Sequence, residues 1–218
     1  NDLGGNWCTT FRTAATPGVV NGGCTQTTVV INEVLIDVTG PDDLFTFIEL
    51  AGPGGALVGG LALTDVEGSG AAGGRNTDGD FFTGETDGTI VIPAGTRMPA
   101  DGILILADAN TTVTTTSVAN VHANDLLFRD VDLENNGGDA LQMAFGTILV
   151  DTVGYTVVAG GTLAVNLTTF NMLAMYETAT APFPATNKSI ARNSTSTDTN
   201  NNFVDFSIAN TPTPGALN

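Results

Sequence analysis

A chain of 218 residues with 42% hydrophobic content is large enough to bury the core of one sizeable domain, which argues against a disordered chain. Only 13% of the residues are charged, yet 23 acids stand against 6 bases, a net charge of −17. That field repels nucleic-acid phosphates and anionic lipid, which argues against direct nucleic-acid binding, and it attracts cations. No apolar run approaches the roughly 18 residues that cross a bilayer, so no membrane insertion is expected. The 27 glycines and 9 prolines suit short strands and many turns better than long helices.

Residues 1–27 are too poor in periodic pattern to form a core of their own. The segment starts at Asn1 rather than Met and is expected to be the end of a processed, mature chain. Its large apolar residues, Leu3, Trp7, Phe11, Val19 and Val20, are scattered among glycines and threonines. Such an arm can pack on the domain behind it, or it can add as a strand to the exposed edge of another copy. Cys8 and Cys24 enclose a short loop with no His or second Cys pair at metal-ligand spacing, and a disulfide is the economical reading. Closing that loop restricts the unfolded chain by about 3 kcal/mol and points to an oxidising, extracellular compartment. Two unrelated free thiols are the alternative.

Residues 28–218 are expected to form one all-β domain. Residues 29–36 and 44–50 are rich in β-branched and aromatic side chains and face each other across a turn containing Gly40-Pro41. Residues 57–65 read as a short strand with alternating large apolar positions. Residues 89–92 form a strand stopped by Pro93, and residues 103–107 form a continuous apolar run short enough for a buried strand. Residues 140–145 and 148–155 flank Gly146-Thr147 as a hairpin. Residues 172–177 are the only stretch with tolerable helix formers, and residues 203–208 read as a last short strand. Regular short strands between turn signals suggest a Greek-key sandwich or barrel.

The order of motifs in this domain resembles the lamin-tail domain as bacteria and archaea use it. The carriers are Val30-Ile31-Asn32-Glu33-Val34, Phe47-Ile48-Glu49-Leu50, the run Leu57 to Asp65, and Ile92-Pro93-Ala94-Gly95 with Ile103 to Ala107. Leu133 to Leu141 with Val150-Asp151-Thr152-Val153-Gly154-Tyr155, then Ser189-Ile190-Ala191-Arg192 and the closing Thr213-Pro214-Gly215-Ala216-Leu217-Asn218 follow in the same order. The resemblance implies an immunoglobulin-like β-sandwich on secreted or surface-attached proteins, often beside hydrolase domains, and implies no catalytic residues. The arm with its cysteines and long inserts at 67–88, 108–131 and 156–186 depart from that pattern.

Few groups here can carry chemistry. Glu33 and Glu49 on adjacent strands have the makings of a glycosidase pair, but one Trp and two Tyr are a poor supply for a sugar cleft. The other reading is that both carboxylates accept hydrogen bonds from backbone or hydroxyl groups. His122 is the only histidine, and no Ser elbow or phosphate loop accompanies it, so no catalytic residues are assigned. No cofactor is required. Calcium is the one candidate ion, at Asn76, Asp78, Asp80 and Asp87, with a second set at 198–202 and Asp205. Solvated turns whose Asp and Asn side chains cap their own backbone are the alternative at both. Asn110, Asn166, Asn187 and Asn193 fit the glycosylation acceptor pattern, which chance also produces in a chain rich in Asn and Thr.

Together these features lead to an expectation. The chain is a secreted or cell-surface, non-enzymatic structural protein, a homo-polymer of filament or layer type held by strand addition of the arm. The alternative is a monomeric module that binds a surface glycan or another ligand beside a hydrolase or adhesin.

Overall fold

The computed structural model describes residues 29–39, 46–66, 89–107, 126–128, 133, 139–156, 169–170 and 173–218. The arm at 1–27, with Leu3, Trp7, Cys8, Phe11, Val19, Val20 and Cys24, lies outside them, as do Asn76, Asp78, Asp80, Asp87, Asn110 and Asn166.

The first hairpin forms where its β-branched pattern places it. Strand β1 (Val30–Leu35) pairs antiparallel with β2 (Phe47–Ala51), and β2 pairs antiparallel with β5 (Ile103–Ala107). A bulge between Ile31 and Glu33 leaves Asn32 without an opposite residue, so Ile31 and Val34 both reach one face of the sheet. The sheet continues from β1 to β12 (Ser189–Ala191) and β13 (Ser207–Ala209), and from β5 to β6 (Leu126–Phe128), giving the order β13-β12-β1-β2-β5-β6.

The second sheet is built on the Gly146-Thr147 hairpin. Gly146 has φ +60°, the left-handed position that a tight hairpin turn asks of its first central residue. Strands β7 (Asp139–Phe145) and β8 (Ile148–Thr156) flank it, with β3 (Ala62–Val66), β4 (Thr89–Val91) and β11 (Ala181–Pro182) completing the order β11-β8-β7-β3-β4. A register shift between Met143 and Ala144 places the irregularity in β8 just ahead of Asp151. A separate two-stranded pair, β9 (Thr169–Phe170) and β10 (Leu173–Ala174), precedes a segment that crosses the outer side of this sheet. There Gln142 Nε2 donates to the carbonyls of Leu173 and Ala174, and Thr152 Oγ1 donates to that of Met175.

The two sheets share one core, so the architecture is an all-β sandwich of two layers. Ile31, Val34, Ile48, Leu50, Leu104, Leu106 and Ile190 from the first sheet meet Leu63, Ile90, Leu141, Met143, Val153 and Tyr155 from the second. The other face of the first sheet is buried as well, with Leu35, Phe47, Ile103, Ile105 and Ala107 in a second cluster. Burial on both faces explains why β1, β2 and β5 read as continuous apolar runs rather than alternating ones.

Three expectations change at their ends. The strand expected at 57–65 is interrupted: Leu57 makes an isolated bridge to Arg97, the chain turns at Gly59-Gly60, and β3 starts at Ala62. The strand expected at 203–208 splits. Asn202–Asp205 form a single helical turn, α1, and only Ser207–Ala209 pair with β12. Leu173–Ala174, inside the stretch with helix formers, are strand β10, and the residues after them are bends. In both of the last two cases, packing against a neighbouring sheet overrides a weak local preference.

Gly102 tests how tightly the β2 end of the first sheet is closed. Its φ is +85°, and a Cβ there would lie 2.2 Å from the Gly52 carbonyl oxygen, whose residue donates its N–H to the Gly102 carbonyl. Gly95 has a similar φ of +86° with open space around it. Gly102→Ala should therefore lower stability by on the order of 3 kcal/mol, against about 1 kcal/mol for Gly95→Ala. Paired thermal melts check this; equal losses would show that the close approach carries no weight.

Candidate functional site

Two polar centres lie inside this apolar frame. The first joins Glu33 and Glu49, which sit directly opposite each other on β1 and β2 and are fully buried. Both side chains lie on the face away from the shared core, where the C-terminal residues cross the sheet. Glu33 accepts from the Thr213 N–H at 3.0 Å, the Thr213 hydroxyl at 3.0 Å, the Asn218 amide at 3.3 Å and the Ser189 hydroxyl. Glu49 accepts from the Gly215 N–H at 2.7 Å and from the Asn32 side-chain amide at 2.7 Å. The two acids therefore hold the closing Thr-Pro-Gly segment onto the sheet, as the hydrogen-bond-acceptor reading of them expects. Burial pushes the Glu49 carboxyl up to about 8. The Gly215 and Asn32 donors oppose that rise without offsetting it, and the Glu33 charge adds to it.

The second centre is built on Arg192, the residue after β12, whose side chain is 1% exposed. Its Nη2 meets both carboxylate oxygens of Asp151 at 3.2 Å, and its Nη1 meets Asp205 at 3.1 Å and Asp198 at 3.5 Å. Its Nε donates to the Ile31 carbonyl at 2.8 Å, and its Nη1 to the Thr197 carbonyl at 2.9 Å. The Phe206 ring lies beneath the guanidinium, 4.4 Å from its carbon to the ring centroid. Asp151 in turn accepts the Ile31 N–H at 2.7 Å and its neighbour's N–H, that of Thr152, at 2.8 Å.

The bulge in β1 makes this possible. With the ladder interrupted at Ile31-Asn32, the Ile31 N–H turns to Asp151 and its C=O to Arg192, while the Asn32 carbonyl accepts the Arg192 N–H. The result is a polar bridge between the two sheets. Asn32 links it to the first centre, since its amide donates to Glu49 and its oxygen accepts from the Ser196 hydroxyl.

Four carboxylates surround the one guanidinium. Burial raises Asp151 to about 6, the Arg192 charge opposing. Burial together with the Asp151 and Asp198 charges raises Glu177 to about 8. Asp205 is held below the ordinary carboxylate range, burial opposing, by the Thr199 hydroxyl and backbone N–H, the Asn201 N–H and Arg192. Oxygens of Asp151, Glu177 and Asp198 all lie within 4.8 Å of one another, a spacing that a hard divalent cation can span. Arg192 already supplies positive charge to two of those three. Of the second calcium set, Asp205 accepts the N–H groups of Thr199 and Asn201, and Asp198 accepts that of Asn200, so these acids cap their own turn. Asn202 points elsewhere, bonding Gly154, Glu177 and Thr152.

Thr178, Ser196 and Asn200 have φ of 55°, 48° and 56°, in the left-handed region, and they sit in the two loops that carry Glu177 and Asp198. Such conformations cost on the order of 1 kcal/mol each for non-glycine residues, and the contacts of the charged centre hold them in place. Beside the centre opens a cleft of about 530 Å³. Asp101, Thr195, Ser196, Asp198 and Asn200 give it polar walls, with Val30 and Leu217 among its apolar ones. Glu33 and Glu49 do not line it.

Of the sequence-predicted sites in view, Glu33 and Glu49 come together, while Asn187 and Asn193 are both exposed on loops flanking β12. Sequence reasoning missed the Arg192 centre. One of only six basic residues stands at the end of the apolar run Ser189-Ile190-Ala191, and Asp151 sits among β-branched residues on a strand. An isolated charge of each sign in apolar strands was the available signal. No protein-family model matches the chain, and no curated protein or solved structure matches it either.

Two outcomes follow from the charged centre. Arg192→Met should cost about 3–5 kcal/mol, because it leaves Asp151 and Asp205 buried without their cation, with Arg192→Lys intermediate. Urea titrations of the three proteins check this, and a loss below that of a typical surface change would refute the bridge. The second outcome concerns pH. Glu49, Asp151 and Glu177 hold protons more tightly folded than unfolded, so their contribution is full below the ordinary carboxylate range and is lost as pH rises through about 6 to 8. Asp205 acts oppositely, but only below its ordinary value. Between pH 5 and pH 8, Tm should therefore fall. A Tm that rises over that interval would contradict the assignment.

Proposed function

We propose that this chain is a non-enzymatic extracellular structural protein of lamin-tail-like, immunoglobulin-like Greek-key type. In this reading it is a subunit of a cell-surface filament or layer, and the arm at 1–27 of one copy adds as a strand to the next.

The observation that carries the reading is the free margin of the first sheet. Strand β13 ends that sheet, so no described strand lies on its outward side. Ile208 on it is 40% exposed, and Phe203 and Val204 on the adjoining α1 are 49% and 65% exposed. An apolar sheet edge that no described strand pairs with is a template for another strand, and the chain's one lysine, Lys188, is engaged at the end of that margin, donating to the Asn210 side chain at 2.8 Å. Charge supports the same partner. Residues 1–27 contain one acid, Asp2, and one base, Arg12, so the net −17 resides in the remainder of the chain. A segment of zero net charge is the part of one copy that the acidic body of another repels least. A contact from arm to opposite edge is head-to-tail and does not close on itself, so it propagates into a fibre.

The runner-up is a monomeric binding module, favoured by the cleft lined by Asp101, Thr195, Ser196, Asp198 and Asn200. Hydroxyl, amide and carboxylate groups suit a sugar's hydroxyls. Among the described residues no aromatic ring lines the cleft to stack on a sugar face, which makes it second.

Deleting residues 1–27 separates the two. The structural reading expects regular fibres or sheets from the full chain by electron microscopy, and a folded, non-assembling domain after deletion. A full chain that sediments as a monomer at high concentration would overturn it and direct attention to the cleft.

A further inference from the structure

The two glycosylation acceptor patterns in view differ sharply in what a transferase would meet. At Asn187-Lys188-Ser189, the third residue is the first residue of β12. Ser189 is fully buried, and its hydroxyl donates to Glu33. The Asn187 amide is tied down at both ends: Nδ2 donates to the Thr39 hydroxyl at 2.8 Å, and Oδ1 accepts the Thr39 N–H at 3.0 Å. Asn187 also occupies the left-handed region, with φ of 64°, inside the turn that the Lys188 N–H closes on the Ala185 carbonyl.

At Asn193-Ser194-Thr195 all three residues are exposed. The Asn193 carbonyl oxygen does the structural work. It accepts the Thr195 N–H at 3.1 Å, the Thr195 hydroxyl at 2.8 Å and the Thr197 N–H at 3.2 Å. The Ser196 N–H closes the turn on the Asn193 backbone carbonyl at 2.8 Å. No hydrogen bond is described at the Asn193 Nδ2. Among these bonds the side chain is used only through its oxygen, the residue itself is exposed, and the nitrogen that would carry a sugar has no described bond to give up.

We infer that Asn193 is an N-glycan attachment site of the folded chain and that Asn187 is not. The inference rests on the extracellular reading above, since the modification belongs to secreted chains. The co-reactant is an oligosaccharide linked through its anomeric carbon to a polyprenyl phosphate or diphosphate. The Asn193 Nδ2 attacks that carbon, a C–N bond forms, and the C–O bond to phosphate breaks. The electron pair leaves with the lipid phosphate, and the amide loses one proton. All three bonds to Oδ1 survive, so attachment leaves the turn intact. The glycan would then stand beside Thr195 and Ser196 at the wall of the cleft.

The test is peptide-level mass spectrometry of the protein purified from its native source, together with Asn193→Gln, Thr195→Ala and Asn187→Gln variants expressed in that source. The expected result is one glycan mass on the peptide containing Asn193, absent from the first two variants and retained in the third, with Asn187 bare. A bare Asn193 beside sugar on any other acceptor overturns the site while leaving an extracellular role standing. A secreted protein without sugar on any Asn also overturns it, and the structural role is then judged by microscopy alone. Sugar on Asn187 would refute the distinction between the two loops.

Discussion

The pairing of Arg192 with Asp151 is the contact on which the arrangement of the two sheets rests. Asp151 belongs to β8 in one sheet, and Arg192 follows β12 in the other. Both reach the backbone of Ile31, one taking its N–H and the other its C=O. An ion pair placed where water is excluded is costly to form and gives little net stability by itself. Its effect here lies in geometry: the bulge at Asn32 leaves two backbone groups that neither sheet can satisfy, and this pair satisfies both. A sandwich slipped by one residue would lose those bonds and bury the charges unpaired, so the pair selects one register among the many that apolar packing would accept.

The same polar system reaches the chain's closing segment. Asn32 connects the guanidinium centre to Glu49, and Glu49 and Glu33 hold Gly215 and Thr213. These acids sit on adjacent strands, the placement that suggested a glycosidase pair from the sequence. Their oxygens are instead occupied by donors from the tail, and neither acid borders the cleft. What the arrangement supports is a tail fixed onto the sheet at both acids.

Local pattern made much of the framework legible. β-Branched runs mark β1, β2 and β5, and Gly146-Thr147 marks the hairpin of β7 and β8, because strand and turn preferences act over a few residues. The segment around Phe203 was misread because its alternation suited a strand. Asn202 instead reaches back to Gly154 and Thr152, and that anchor winds the chain into a turn of helix. The Arg192 centre was illegible for a deeper reason. Its members are 41 residues apart at Asp151 and 161 apart at Ile31, and only the folded topology brings them together. Their joint role is a property of the bulge.

The tail over Glu33 and Glu49 has a kinetic consequence. The bonds from Thr213 to Glu33 span 180 residues, so nearly the whole chain must be in place before that strand pair is covered. Chains dominated by such distant contacts fold slowly. While the tail is still adrift, Glu49 stands in water and ionises readily. Docking must then either recapture a proton at Glu49 or bring its amide donors to the charge at the moment water leaves. By the first route tail docking takes up a proton, and its speed should then depend on the acidity of the medium.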